Sequence, residues 1–188
     1  LLVGLIAGFY GGKIDSLLMR LVDFTLALPY LVLVIGIVAV LGTTPTEVPG
    51  LGPLPVNVLI AIWLIGWVTY ARLVRGEVLL AKNMEYVDAA RVCGASTTRL
   101  VLRHITPNVM AIVIIYAMAD IVLNILLLSS LSFLGLGQQP PYPEWGLMVS
   151  EARDFFLRDW RLMTYPGIAV LITGAAFGLI GDGLTQAL

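Results

Sequence analysis

Apolar and polar positions follow one another along this chain in long blocks. After a short apolar start, Leu1–Tyr10, four longer apolar stretches run over Leu17–Leu41, Pro55–Arg75, Pro107–Leu136 and Pro166–Ala187. Each has the length a helix needs to cross hydrocarbon, about 20 residues. A lipid-embedded backbone must satisfy its own hydrogen bonds, so these stretches are predicted to be α-helices. Local punctuation agrees. Pro55, Pro107 and Pro166 stand where helices begin, a place where a missing N–H costs nothing. Thr106 is suited to cap the third, and Pro29 is expected to kink the first. Residues 1–12 read as a partial helix, too short to span. Leu1 is not an initiating Met and no basic leader follows it, so the chain is expected to be N-terminally incomplete.

Composition sharpens this. Of 188 residues, 59% are hydrophobic and 12% charged, with a mean hydropathy of +0.96. A soluble domain carries about a quarter charged residues. The excess apolar surface must face lipid or other buried helices. A formal net charge of −1 gives no sign of nucleic-acid binding. The lone Cys93 excludes an intrachain disulfide and any multi-cysteine metal site.

The polar blocks set orientation. Gly76–Thr106 and its borders hold Arg72, Arg75, Lys82, Arg91, Arg99 and Arg103, and Gly11–Arg20 adds Lys13 and Arg20. Thr43–Leu54 has no basic residue, and Gln138–Tyr165 balances Arg153, Arg158 and Arg161 with Glu144, Glu151, Asp154 and Asp159. The positive-inside rule puts residues 76–106 in the cytoplasm and 138–165 outside. Thr43–Pro55, with four prolines, is expected to be a stiff, irregular loop. After Pro140, Pro141 and Pro143, the residues Trp145, Met148, Val149, Ala152 and Phe156 recur at helical spacing. Such a short amphipathic helix suits an interfacial anchor or a docking surface for an external partner; both readings stand.

The cytoplasmic block is the most informative. Tyr86, Ala89, Ala90 and Cys93 fall on one helical face, made shallow by its alanines. Gly94 is suited to end that helix in the left-handed conformation, and Ser96 to cap a second one bearing Thr97, Leu100, Val101 and His104. A helix–turn–helix hairpin with basic edges is predicted. Held between two spans, it can pass force or position to a soluble partner.

Here the sequence resembles a family. Asp88-Ala89-Ala90, then Gly94, then Ile105-Thr106-Pro107 is similar to the EAA loop of binding-protein-dependent ABC importer permeases, with Asp88 in place of Glu and Thr106 in place of Leu. Tyr70–Gly76 and Arg103–Asn108 resemble the entry and exit of that loop in the oligopeptide/dipeptide/nickel branch. Ser130–Gly137, Gln139–Pro141 and Pro143–Gly146 resemble the branch's signature, and Gly181–Leu184 its ending. The likeness, which covers the whole chain, is to the branch's second permease subunit. It implies an all-α, polytopic transmembrane helical bundle of the type I importer class with a cytoplasmic coupling-helix hairpin, forming one permease domain over residues 1–188. It also implies that one N-terminal helix and part of the next are missing. The implied protein sits in the cytoplasmic (inner) membrane of a bacterium or archaeon. With a second homologous permease subunit it forms a pathway for di- or oligopeptides, or a related solute such as a nickel chelate. Two cytoplasmic P-loop ATPases power that pathway and an external substrate-binding protein supplies it. Coupling to the ATPase falls on Tyr86, Asp88, Ala89, Ala90, Arg91, Gly94, Arg99, His104 and Pro107. No cofactor is expected on this chain, ATP and Mg belonging to the partners. The absence of a G-x-x-x-x-G-K-[ST] loop fits that division.

Asp120 lies near the middle of Pro107–Leu136, with Asn124 one turn later on the same face. An ionisable group there costs about 2.5–3.5 kcal/mol on insertion scales, so it faces protein or water. Either the pair lines the pathway or it makes an interhelical hydrogen bond. The family often places its acidic residue further along, where this chain has Leu128. Asp23 and Asp182, near cytoplasmic ends, suit solvated or helix-pairing roles. Gly4/Gly8/Gly12 and Gly174/Gly178 suit close helix packing. His104 has no companion at metal-ligand spacing. An intramembrane enzyme needs a nucleophile and a base together, and Ser129, Ser130 and Ser132 have no basic residue in their span. The remaining alternative is a secondary transporter or channel that works without an ATPase.

Overall fold

The computed structural model describes residues 1–50 and 52–187. Leu51 and Leu188, which the predicted single domain includes, lie outside the described residues. Among the described residues the fold is all-α apart from one hairpin. In chain order it runs α1 (Leu2–Tyr10), α2 (Gly12–Leu26), α3 (Tyr30–Leu41), β1 (Thr46–Val48), β2 (Gly52–Leu54), α4 (Val56–Ala81) and α5 (Glu85–Val92). Then follow α6 (Thr97–Arg99), a π turn (Leu100–Ile105), α7 (Thr106–Phe133), α8 (Trp145–Ala152), a 3-10 turn (Arg153–Phe155) and α9 (Arg161–Ala187). Among the described residues, three helices are long and apolar enough to cross a membrane: Val56–Ala81, Thr97–Phe133 and Arg161–Gln186. A fourth crossing exists if α2 and α3 count as one broken span.

Several boundaries differ from the sequence expectation, each for a physical reason. The stretch 17–41 breaks fully around Pro29, which stands at the N-cap of α3 in an extended conformation. The segment 43–55 is not irregular: Thr46 pairs with Leu54 and Val48 with Gly52 in an antiparallel hairpin, with Pro53 opposite Glu47. Helix α4 runs on past Arg75 to Ala81, because Val74, Val78 and Ala81 continue its buried stripe. Thr106 caps nothing. It lies in a continuous helical run, and its hydroxyl donates to Val101 O at 2.8 Å. The wider π turn just before Pro107 gives room to a ring that would clash with the preceding turn of a regular helix. Helix α9 begins at Arg161, whose N–H donates to the Asp159 carboxylate at 3.1 Å, so Pro166 falls inside it.

The contacts sort into two compact units. One comprises residues 1–28 and 66–116. Its core joins Leu5, Val74, Val78 and Ala81 to Val87, Leu100, Ile105 and Val109. Helix α1 lies tight on α4: a Cβ on Gly4 would stand 2.5 Å from Ala71 O, and one on Gly8 2.8 Å from Val78 Cβ. A Cβ on Gly12 would meet nothing within 4 Å, so Gly12 does not extend that seam. Lys82 Nζ donates to Gly8 O at 2.9 Å at the end of α1. Helix α2 buries Val22 against Val68 and Ala71 and pairs Asp15 with Arg75 and Asp23 with Arg72.

The other unit comprises residues 29–65 and 117–187. Val34 and Val38 of α3 meet Val58, Ala61, Ile62 and Ile65 of α4 and Leu131 of α7. Asn57 Nδ2 donates to Leu41 O and Gly42 O, at 2.9 and 3.1 Å, covering the open carbonyls at the end of α3. Gly174 of α9 approaches Val122 of α7, its would-be Cβ 3.2 Å from the valine methyl; Gly178 has no such neighbour.

Candidate functional site

Helix α5 carries five of the predicted coupling residues, Tyr86, Asp88, Ala89, Ala90 and Arg91. Val87 is fully buried and Ala90 packs beside it against the same core. The helix then ends in two backbone bonds: Gly94 N donates to Arg91 O at 3.0 Å and Ala95 N to Ala90 O at 3.1 Å. With Gly94 at φ +82, this is a Schellman ending, which satisfies terminal carbonyls and brings Ala95 against Ala90. The left-handed conformation there costs a residue with a Cβ about 1–2 kcal/mol, so Gly94 is what lets the chain turn.

The anchored side therefore carries Val87 and Ala90, and the predicted face splits. Ala90 looks into the core, whereas Tyr86, Ala89 and Cys93 are exposed. The outward side also carries Val92, 89% exposed, which belongs to no part of the predicted face. Its signal lay in the spacing, since it stands three residues beyond Ala89 and four beyond Asp88. Asp88 Oδ1 and Arg91 Nη1 pair across one turn at 2.8 Å, both exposed. The Tyr86 hydroxyl accepts from Asn108 Nδ2 at 2.9 Å, and the same amide donates to His104 O at 3.1 Å. That amide links α5 to the start of α7. Arg99 and Pro107 are exposed and His104 half-buried.

The second arm of the predicted hairpin is not a separate helix. Helix α6 has three residues and runs through the π turn directly into α7. Ser96 occupies the N-cap without a side-chain bond. A cavity of about 250 Å³ opens beside α5, lined by Glu77, Met84, Tyr86, Asn108 and Ile112 among others.

In the other unit, Asn124 Nδ2 donates to the Asp120 backbone carbonyl at 2.8 Å, a bond within one helix. Both residues are half-buried. Neither lines either of two cavities there, of about 440 Å³ each, which lie around Leu126, Ser129, Phe133, Trp145 and Met148.

The motif Ser130–Gly146 acts as a clasp. Helix α7 ends as α5 does: Gly135 N donates to Ser132 O at 3.0 Å and Leu136 N to Leu131 O at 2.8 Å, with Gly135 at φ +78. The Glu144 carboxylate then accepts from Leu147 N–H at 2.9 Å and from the Ser129 hydroxyl at 3.1 Å. A Cβ on Gly146 would stand 2.0 Å from Ser129 O, so backbone meets backbone there. The Ser150 hydroxyl donates to Phe133 O at 3.1 Å. The apolar face expected for this helix is corrected accordingly. Gly146, Leu147 and Ala152 are buried, Met148 is exposed, and Phe156 falls beyond the helix end.

Among the described residues, no group of His, Cys, Asp and Glu has metal-binding geometry. What the chain presents is a surface helix seated on an apolar core, together with long apolar helices. The family model for binding-protein-dependent transport system inner membrane components matches residues 1–188. The chain belongs to that family, and it is a multi-pass protein of the inner membrane. It is 44% identical over its full length to the di/tripeptide transport system permease protein DppC of Pseudomonas aeruginosa, covering 59% of that relative. It is 40% identical over 98% of its length to the dipeptide transport system permease protein DppC of Bacillus subtilis, covering 55% of it. With the glutathione transport system permease protein GsiD of Pectobacterium atrosepticum it shares 38% identity over 99% of its length, covering 58% of that protein. The chain thus spans little more than half the length of these relatives.

Proposed function

We propose that this chain is a permease subunit of an ATP-driven importer of di- or oligopeptides or a peptide-like solute. It pairs with a second homologous permease, two P-loop ATPases on the cytoplasmic side and an external substrate-binding protein. The chain itself hydrolyses nothing; ATP and Mg are handled by the ATPases. Helix α5 is the coupling element. The observation that carries this reading is its mounting: Val87 and Ala90 seat it on α4 and α7, while Asp88, Ala89 and Val92 face away from the core. A partner's displacement of α5 is passed to both long helices, because their side chains form the seat. Arg91 and the Tyr86 end of the Tyr86–Asn108 link belong to the same helix, and Arg99 is exposed on the segment that follows it. Family membership and the peptide and glutathione permeases among the relatives support the substrate class.

The test is a bulky substitution on the outward side. Ala89→Trp leaves the core untouched and is expected to preserve membrane insertion while abolishing co-purification with the ATPases and transport-coupled ATP hydrolysis. Undiminished coupled hydrolysis in that variant, or full transport by the permease without any ATPase, would overturn the proposal; the latter would establish a secondary transporter or channel. Asp120 and Asn124 are proposed to line the pathway. Unchanged uptake of every substrate by Asp120→Asn, at normal expression, would assign the pair to helix structure alone.

A further inference from the structure

Helix α2 sorts its charges in a way that packing alone does not require. Its two acids, Asp15 and Asp23, both turn to α4 and pair with Arg75 and Arg72, on the side where Val22 is fully buried. Lys13 and Arg20, seven residues apart and hence on one face, are exposed. Among the described residues neither enters an ion pair. Beside them runs a stripe spaced by three and four: Ile14, Leu17, Leu21, Phe24 and, just past the helix, Leu28, which are 48%, 71%, 56%, 73% and 47% exposed. One side of the helix is thus neutralised against the protein, and the other is apolar with a cationic edge.

We propose that this outward side of α2 is a binding surface for anionic phospholipid. The stripe enters the acyl region, and Lys13 and Arg20 extend their aliphatic stems along it to place their charges at headgroup phosphates. Charge decides the occupant. A partner helix packed on such a seam would have to supply acids to the two cations, whereas an inner-membrane protein meets anionic headgroups without one. The pairing of Asp15 and Asp23 with α4 removes the two groups that would repel such lipids.

The experiment places a tryptophan at Leu17 in the full-length protein, purified with the subunits it retains. The protein is reconstituted in nanodiscs of phosphatidylcholine and phosphatidylglycerol, one or the other brominated. With native tryptophan fluorescence subtracted, brominated phosphatidylglycerol is expected to quench about fivefold more effectively per mole for each cation engaged. Lys13→Gln with Arg20→Gln is expected to equalise the two lipids while quenching persists. Equal quenching in the parent would overturn the headgroup selection. No quenching by either lipid would overturn the surface altogether, and a Leu17→Cys cross-link would then identify the covering protein. Leu21→Trp repeats the measurement should Leu17→Trp fail to fold. No transport is read, so the result stands apart from the import function proposed above.

Discussion

Helices α5 and α8 have the same length, eight residues, yet they are held by opposite means. Helix α5 rests on apolar side chains, with Val87 at its centre and one amide-to-phenol hydrogen bond at its edge. Helix α8 is fixed by backbone: Gly146 lies against Ser129, Glu144 bridges Leu147 N–H and Ser129, and Ser150 reaches Phe133 O. Dispersion contacts are non-directional and survive small sliding, whereas close backbone approach and directional hydrogen bonds do not. The first mounting suits an element that transmits displacement and the second one that stays in place.

The largest effect is expected where backbone meets backbone. Gly146→Val would drive a side chain into Ser129 and cannot be relieved by a rotamer change, so a loss of about 3 kcal/mol or more is expected. Thermal unfolding in detergent would show it, and retention of the parent midpoint would mean that α8 is not clamped as described. Next comes the seat of α5. Val87→Ala opens a cavity in the core and is expected to cost about 2 kcal/mol, with coupled ATP hydrolysis falling further than stability does. If both fall in proportion, α5 is a structural element only. Third, Glu144→Ala removes the N-cap of α8 and the bond from Ser129. It is expected to cost about 1 kcal/mol, with Glu144→Gln recovering part of that because its amide oxygen still accepts.

Legibility differed between these regions in the same physical terms. The turn at Gly94 was readable, because a glycine just past an amphipathic octet can take the left-handed conformation that ends a helix. So was the presence of helices in the apolar blocks, since length and hydropathy suffice. Which side of α5 is anchored was not readable. Alanines give no sign of direction, and the deciding residue, Val87, belongs to no motif. The signature Ser130–Gly146 is legible as a string, but its meaning is not: a glycine that permits contact with Ser129 looks in sequence like any glycine in a loop. Helix boundaries differ from the sequence expectation where proline suggests a start. Pro107 and Pro166 both sit inside helical runs, accommodated by a π turn in one case and by an earlier start at Arg161 in the other.

The smallest stability effect is expected at the outward edge of α5, and it separates docking from folding. Asp88 and Arg91 are 61% and 57% exposed and pair one turn apart, an arrangement worth about 0.5 kcal/mol or less. Arg91→Ala should therefore leave thermal unfolding within error of the parent. If α5 is the surface an ATPase grips, the same change should weaken co-purification with the ATPase, more steeply at low than at high ionic strength, because the lost charge acts through solvent. Asp88→Asn should do likewise, and the double variant should lose less than the sum, the two groups being coupled. A loss of stability from Arg91→Ala comparable to that from Val87→Ala would reverse the comparison, making the outward edge part of the seat.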